Sequence, residues 1–240
     1  METLEPTKRW QKLIENFVIK KIKRFIKKEI YFRVFPPLKI TQETMNHLMH
    51  AASNWDMEGD YLEFGVATGN SLIAAVRTAE RYRLPKMRFY GFDSFEGLPP
   101  SKGIDTYVNQ YPEGKHAFSL EYVKNEFKKE KVGLDKVTFI KGWYEETLTS
   151  ERTKRLPLKK AAIIWMDADL YESTRVSLDF ITSYVEDGTI LYFDDWLAFR
   201  GNPKYGEQKA FEEWLAKNPH ITYSPYRDHG FWGKSFILHV

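Results

Sequence analysis

The chain reads as an α/β protein with a mostly parallel, seven-stranded sheet, an antiparallel hairpin at its end and extra helices at its N-terminus. Three observations predict this. Short apolar runs alternate with helical segments from about residue 60 onward. Those runs are of the length and composition of strands buried on both faces. The last two runs lie too close together for a crossover helix, so they must pair antiparallel. Together they describe a doubly wound, Rossmann-like sheet whose site lies at the carboxyl ends of the strands.

The elements follow in order. Leu13, Ile14, Phe17, Val18, Ile22, Phe25 and Ile26 share one helical face, with most of the nearby Lys and Arg elsewhere. Phe35-Pro36-Pro37 ends that segment. Thr41-x-x-Thr44 opens a second helix to about Ser53, and residues 1–58 are read as a helical arm or lid before a domain over 59–240. Strand one is Tyr61–Phe64, followed by a helix over Ser71–Tyr82. Strand two, Met87–Phe92, runs into a loop marked by Pro99, Pro100, Gly103, Pro112 and Gly114. A helix over Leu120–Lys131, strand three at Val137–Ile140 and a short helix over Tyr144–Lys154 come next. Strand four is Ala161–Met166, with a helix over Glu172–Tyr184. Strand five is Thr189–Phe193, with a helix over Gly206–Lys217. Ile221–Ser224 and Lys234–Val240 are the hairpin strands.

Composition narrows the function. The 240 residues include 17 Phe, 14 Tyr and 7 Trp, ample for a packed core. There is no Cys, which excludes disulfides, thiolate metal sites and Cys nucleophiles and is in keeping with a reducing, cytoplasmic setting. No apolar run reaches the ~18–20 residues that span a bilayer, and the N-terminus lacks the apolar core of a signal peptide. The net charge of +3 is uneven: residues 1–33 hold ten Lys/Arg against four Asp/Glu, so the remainder is mildly acidic. The basic balance therefore belongs to the arm, and no nucleic acid is expected as a partner of the domain.

Tyr61–Ser71 and Gly91-Phe92-Asp93-Ser94 carry the ligand chemistry. Glu63 ends a strand, and Gly65, Ala67 and Gly69 form a small-residue turn where backbone approaches a ligand closely. A dinucleotide fingerprint would need glycines at 67 and 70, where Ala and Asn stand. An acid before the turn suits a ligand bearing a cation. This pattern resembles the first motif of class I S-adenosylmethionine methyltransferases. The resemblance implies cofactor binding by Glu63, Gly65, Ala67, Thr68, Gly69 and Ser71, with Asp93 and Ser94 at the ribose. Gly142 and Trp143, after strand three, are expected along the adenine.

Acids also end strands four and five. Asp167-Ala168-Asp169 follows Met166, and Asp194-Asp195 follows Phe193. Strands one, four and five should lie side by side, so Asp167, Asp194 and Asp195 should converge beside the cofactor. Close carboxylates repel, and a hard divalent cation such as Mg²⁺ relieves that. The alternative to a metal has Asp195 capping a following helix and Asp169 paired with a neighbouring Lys or Arg.

Phe92-Asp93-Ser94-Phe95-Glu96-Gly97-Leu98-Pro99, Asp167–Thr174 and Asp194-Asp195 are similar to motifs of the macrocin O-methyltransferase family, which methylates sugar hydroxyls of natural products. The resemblance extends over residues 60–240. It implies Asp167 as a catalytic, cofactor-side and metal residue, with Asp194 and Asp195 as further Mg²⁺ ligands. A base is needed for the hydroxyl proton. His229, His116 and Glu207 are candidates, with His229 ranked first for its place in the hairpin connection. The acceptor is expected to be a small sugar-like hydroxyl compound. Vicinal oxygens leave a catechol-type phenol open, and the basic arm leaves open a non-catalytic nucleic-acid or membrane-surface binder. The arm's apolar stripe needs a cover. Related methyltransferases use such helices as lids and in homo-oligomers, which is preferred here over peripheral membrane contact.

Overall fold

Apolar runs become strands where sheet neighbours can bury both faces. The computed structural model describes residues 36–154 and 156–240. The expected basic helix of the arm lies outside the described residues. The strands are β1 Asp60–Phe64, β2 Phe89–Asp93, β3 Val137–Lys141, β4 Ala161–Met166, β5 Ile190–Phe193, β6 Thr222–His229 and β7 Gly233–His239. They form one sheet in the order β3-β2-β1-β4-β5-β7-β6. The first five are parallel, and β7 runs antiparallel between β5 and β6, as expected. Chain order reverses between β1 and β4, the place where doubly wound sheets open a crevice.

Helices cover both faces. They are α1 Pro36–Asn54, α2 Asn70–Arg81, α3 Leu120–Lys129, α4 Tyr171–Ile181 and α5 Gly206–Lys217. Alternation along the strands sends Tyr61, Ile163, Trp165 and Tyr192 to one face, packed with Met45, Leu72 and Phe127 of α1–α3. Leu62, Ile164, Met166 and Phe193 go to the other, with Leu178 and Trp214 of α4 and α5. Leu62 and Ile164 are fully buried. Truncating either to Ala would cost about 2–5 kcal/mol. One compact unit covers Thr41–Val240, and it includes the core residues of α1.

Several boundaries differ from the sequence reading. α1 begins at Pro36, so the prolines expected to end a segment instead open this helix, where their missing N–H is not needed. β6 runs to His229 rather than ending at Ser224, because β7 pairs with it as far as Gly233. Pro225 lies inside β6, which is an edge strand, where a missing donor is tolerated. The register slips between Pro225 and Arg227, absorbing the irregularity. The helix expected over 144–154 is two single turns, Tyr144–Thr147 and Ser150–Thr153. A short 3₁₀ turn, Gly103–Tyr107, organises the long loop after β2.

Candidate active site

The β1 turn is shaped by positive backbone angles and by one carboxylate. Gly65, Ala67 and Gly69 have φ of 90°, 45° and 83°. A Cβ on Gly65 would lie 1.9 Å from the Asp167 carbonyl oxygen, so only glycine lets β1 and β4 end this close together. Asp93 Oδ2 accepts from Val66 N at 2.7 Å and Ala67 N at 3.0 Å, and its Oδ1 accepts from Phe95 N at 2.6 Å. The expected ribose acid therefore also holds the turn. Thr68 is half-buried in that turn.

Glu63 is fully buried. Tyr61 Oη donates to it at 2.6 Å and Ser71 Oγ at 2.8 Å. Desolvation pushes its carboxyl up to about 8, against those two bonds, which favour the charged form. Ser94 is tied into its own turn: its Oγ donates to Gly97 O at 2.9 Å and accepts from Glu96 N at 3.1 Å. Gly142 N donates to Asp93 O at 3.0 Å, which sets half-buried Trp143 beside Asp93.

The acids after β4 and β5 converge. Asp167, Asp169 and Asp195 each offer a carboxylate oxygen within 4.8 Å of the others. Asp169 thus joins the set, while Asp194 is the acid whose charge acts most strongly on Asp167. Asp169 has φ of 60°, and Leu170 N bonds Ala168 O at 2.6 Å, a tight turn that brings Asp169 back beside Asp167. Asp and Asn tolerate this left-handed region better than most residues. Asp194 shares a sheet face with Tyr192 two residues earlier, and the Tyr192 hydroxyl donates to its Oδ1. Burial and mutual repulsion drive Asp167 and Asp169 well above the usual carboxylate range.

Glu207 backs the cluster. It is buried, its Oε2 accepts from Asp195 N at 3.0 Å, and its Oε1 has no hydrogen-bond partner among the described residues. His229 is enclosed: Nε2 lies 2.8 Å from Ser235 Oγ, and its ring stands edge-on to Tyr192 at 5.2 Å. Burial, then neighbouring His47 and Arg227, lower it to about 4. His116 is exposed, with φ of 62°, within electrostatic reach of both Asp195 and Asp93.

The loops above the sheet edge carry what the sequence did not reveal. Tyr111, Leu170, Ala198 and Phe199 form a third apolar cluster, joined by Leu98, Val108 and Tyr205. Buried Asp105 accepts from Tyr171 N at 2.7 Å, pinning the loop after β2 to the start of α4. Tyr111 and Lys115 enter the site from this loop. An aperiodic loop gives no face to read. The Asp-x-Asp spacing was a visible signal for Asp169.

Residues 39–214 match the family described as Macrocin-O-methyltransferase (TylF). The 8-demethyl-8-(2,3-dimethoxy-alpha-L-rhamnosyl)-tetracenomycin-C 4'-O-methyltransferase of Streptomyces olivaceus is 34% identical over 145 residues, 58% of this chain and 53% of that protein. Mycinamicin III 3''-O-methyltransferase of Micromonospora griseorubida is 27% identical over 159 residues, 63% of this chain and 61% of that protein. The matched stretches thus span little more than half the length of these curated relatives. Among solved structures, the O-methyltransferase NovP shares the fold with a TM-score of 0.68 at 24% identity, covering 82% of this chain and 79% of that one. The calicheamicin methyltransferase CalS11 does so with a TM-score of 0.66 at 24% identity, covering 82% and 77%.

Proposed function

The chain belongs to the macrocin-O-methyltransferase family, and from that premise we propose that it methylates a hydroxyl of a sugar, polyol or glycosylated natural product, using S-adenosylmethionine and Mg²⁺. The observation that carries this reading is the convergence of Asp167, Asp169 and Asp195 one strand away from the turn held by Asp93. The donor set fits both groups. Three carboxylates with an unpartnered Glu207 oxygen behind them suit a hard cation. Two acids at adjacent strand ends suit a ligand with an ammonium group and a ribose.

When bound, S-adenosylmethionine supplies an electrophilic methyl carbon and Mg²⁺ supplies Lewis acidity to the hydroxyl oxygen. The chain's own residues do the rest. Asp93 accepts from the ribose hydroxyls, and Glu63 underlies the amino acid end. Trp143 would lie along the adenine. Asp167, Asp169 and Asp195 would hold the ion, with Asp194, hydrogen-bonded by Tyr192 and acting on Asp167, beside them. Alignment of oxygen and methyl supplies much of the rate, up to ~7–11 kcal/mol in well-oriented systems. Of the three base candidates, His116 is best placed to take the proton, since it bears on both Asp93 and Asp195 while His229 is enclosed. A homo-oligomer and a cytoplasmic location belong to the same reading, and light scattering and cell fractionation check them.

Calorimetry with S-adenosylhomocysteine, with and without MgCl₂, tests the cofactor and metal assignments. Mass spectrometry of rhamnosylated and catechol acceptors, with and without EDTA, tests the reaction. Binding of S-adenosylhomocysteine and EDTA-sensitive methylation of a sugar are expected. No affinity for S-adenosylhomocysteine overturns the reading. Methylation confined to catechols moves the acceptor class.

A further inference from the structure

Lys115 has no task in the methyl-transfer scheme, yet it is held in place twice. Its Nζ donates to the Gln110 carbonyl at 2.8 Å and lies 5.4 Å from the centre of the Tyr111 ring. The same segment is fastened to the loop after β5. Gln110 Nε2 donates to Ala198 O at 3.3 Å, and the Tyr111 ring stacks on Phe199 at 5.6 Å. Ala198 N in turn donates to Asp195 O at 3.0 Å. These contacts carry the ammonium to the edge of the acid cluster, where its charge acts on Asp169 and Asp195.

Two further atoms mark the space as built for a polar occupant. Tyr111 is 4% exposed, its hydroxyl makes no well-aligned hydrogen bond among the described residues although the Asp195 and Gln110 side chains are within reach, and the acids that act on it are Asp195 and Asp169. Glu207, 1% exposed, leaves Oε1 unpartnered at the base of the same acids. Buried polar atoms without partners are uncommon in native proteins and call for an explanation.

We propose that Lys115 is a tethered counter-cation for Asp169 and Asp195, which competes with a divalent ion for these carboxylates and so sets the metal affinity of the site. The proposal rests on the metal-assisted reading of the cluster. Its chemistry is simple: the ammonium, held at Gln110 O, keeps a positive charge close enough to act on both carboxylates and to oppose an incoming cation. A fixed positive charge beside the site opposes a second cation, so removing it should tighten ion binding.

The test is titration of the full chain with Mn²⁺ alone, at low ionic strength, for wild type, Lys115→Gln and Lys115→Arg. S-adenosylhomocysteine affinity is measured separately on each. Lys115→Gln should bind Mn²⁺ about tenfold more tightly than wild type, the effect of one nearby charge. Lys115→Arg should stay within about twofold of wild type, since it keeps the charge. Unchanged or weaker Mn²⁺ binding by Lys115→Gln overturns the proposal, and so does Mn²⁺ binding by none of the three. If S-adenosylhomocysteine binds while Mn²⁺ never does, the metal role fails and methyl transfer stands. If the Mn²⁺ pattern holds while S-adenosylhomocysteine never binds, Lys115 stands and methyl transfer fails.

Discussion

Replacing Glu63 with Gln should raise stability and lower cofactor affinity together. The carboxyl is fully buried, and burial pushes it from 4.5 up to about 8. A carboxyl raised in the folded state gives its full stability below about pH 4.5 and loses it as pH climbs through 8. At 1.36 kcal/mol per tenfold, the interval from 4.5 to about 8 is worth roughly 5 kcal/mol at alkaline pH and roughly 3 kcal/mol at pH 7. Gln cannot ionise. It keeps an acceptor for the Tyr61 hydroxyl and offers a donor to Ser71. Urea unfolding at pH 5, 6, 7 and 8 should show the advantage of Glu63→Gln growing by about 1.4 kcal/mol per pH unit. S-adenosylhomocysteine affinity should fall about tenfold, because a charge-assisted partner for the ammonium is gone. A stability difference that stays flat from pH 5 to pH 8 would refute the reasoning.

Other substitutions probe neighbouring parts of the site. Gly65→Ala should cost at least ~2 kcal/mol in urea unfolding and abolish S-adenosylhomocysteine binding, since its Cβ meets the Asp167 carbonyl at 1.9 Å; unaltered unfolding would show that the two strand ends can separate freely. Asp93→Asn should lose ~1–3 kcal/mol of stability along with cofactor affinity, because this carboxylate accepts three backbone N–H groups. Calorimetry on the folded variant decides that case, and full affinity counts against the ribose assignment. His229 is lowered to about 4, so it stabilises the fold above pH 6.5 and loses that as pH falls toward 4, roughly 1–2 kcal/mol by pH 5. Its ring resonances should keep their neutral-form positions from pH 7 down to pH 5, and a midpoint near 6.5 would contradict its burial.

The sheet was legible because buried parallel strands leave an unbroken apolar signal. β4, for example, is Ala161–Met166 on both readings. The acid set was legible only in part. Position along a strand tells which residues reach the carboxyl edge, but not which way a carboxylate turns once there. Asp194 is hydrogen-bonded by Tyr192, two residues back, and still acts on Asp167, while the left-handed backbone of Asp169 itself brings that acid into the group. The length of β6 was not legible because it carries Pro225, which only an edge strand tolerates, and edge status is a property of the whole sheet. Residues 99–118 stayed silent because Asp105, Gln110 and Tyr111 are placed by partners 66 to 88 positions away or by stacking on Phe199.

The third cluster has a bearing on how such a protein can change over generations. Tyr111, Leu170, Ala198 and Phe199 belong to connecting segments, and none of them is part of the strand ladder. A wall built this way can be rewritten one residue at a time while the seven strands keep their register. Loops tolerate such drift better than the elements they join. Variation in the connecting segments and constancy in the strand ladder are thereby housed in separate parts of one chain, and selection can act on the first without endangering the second.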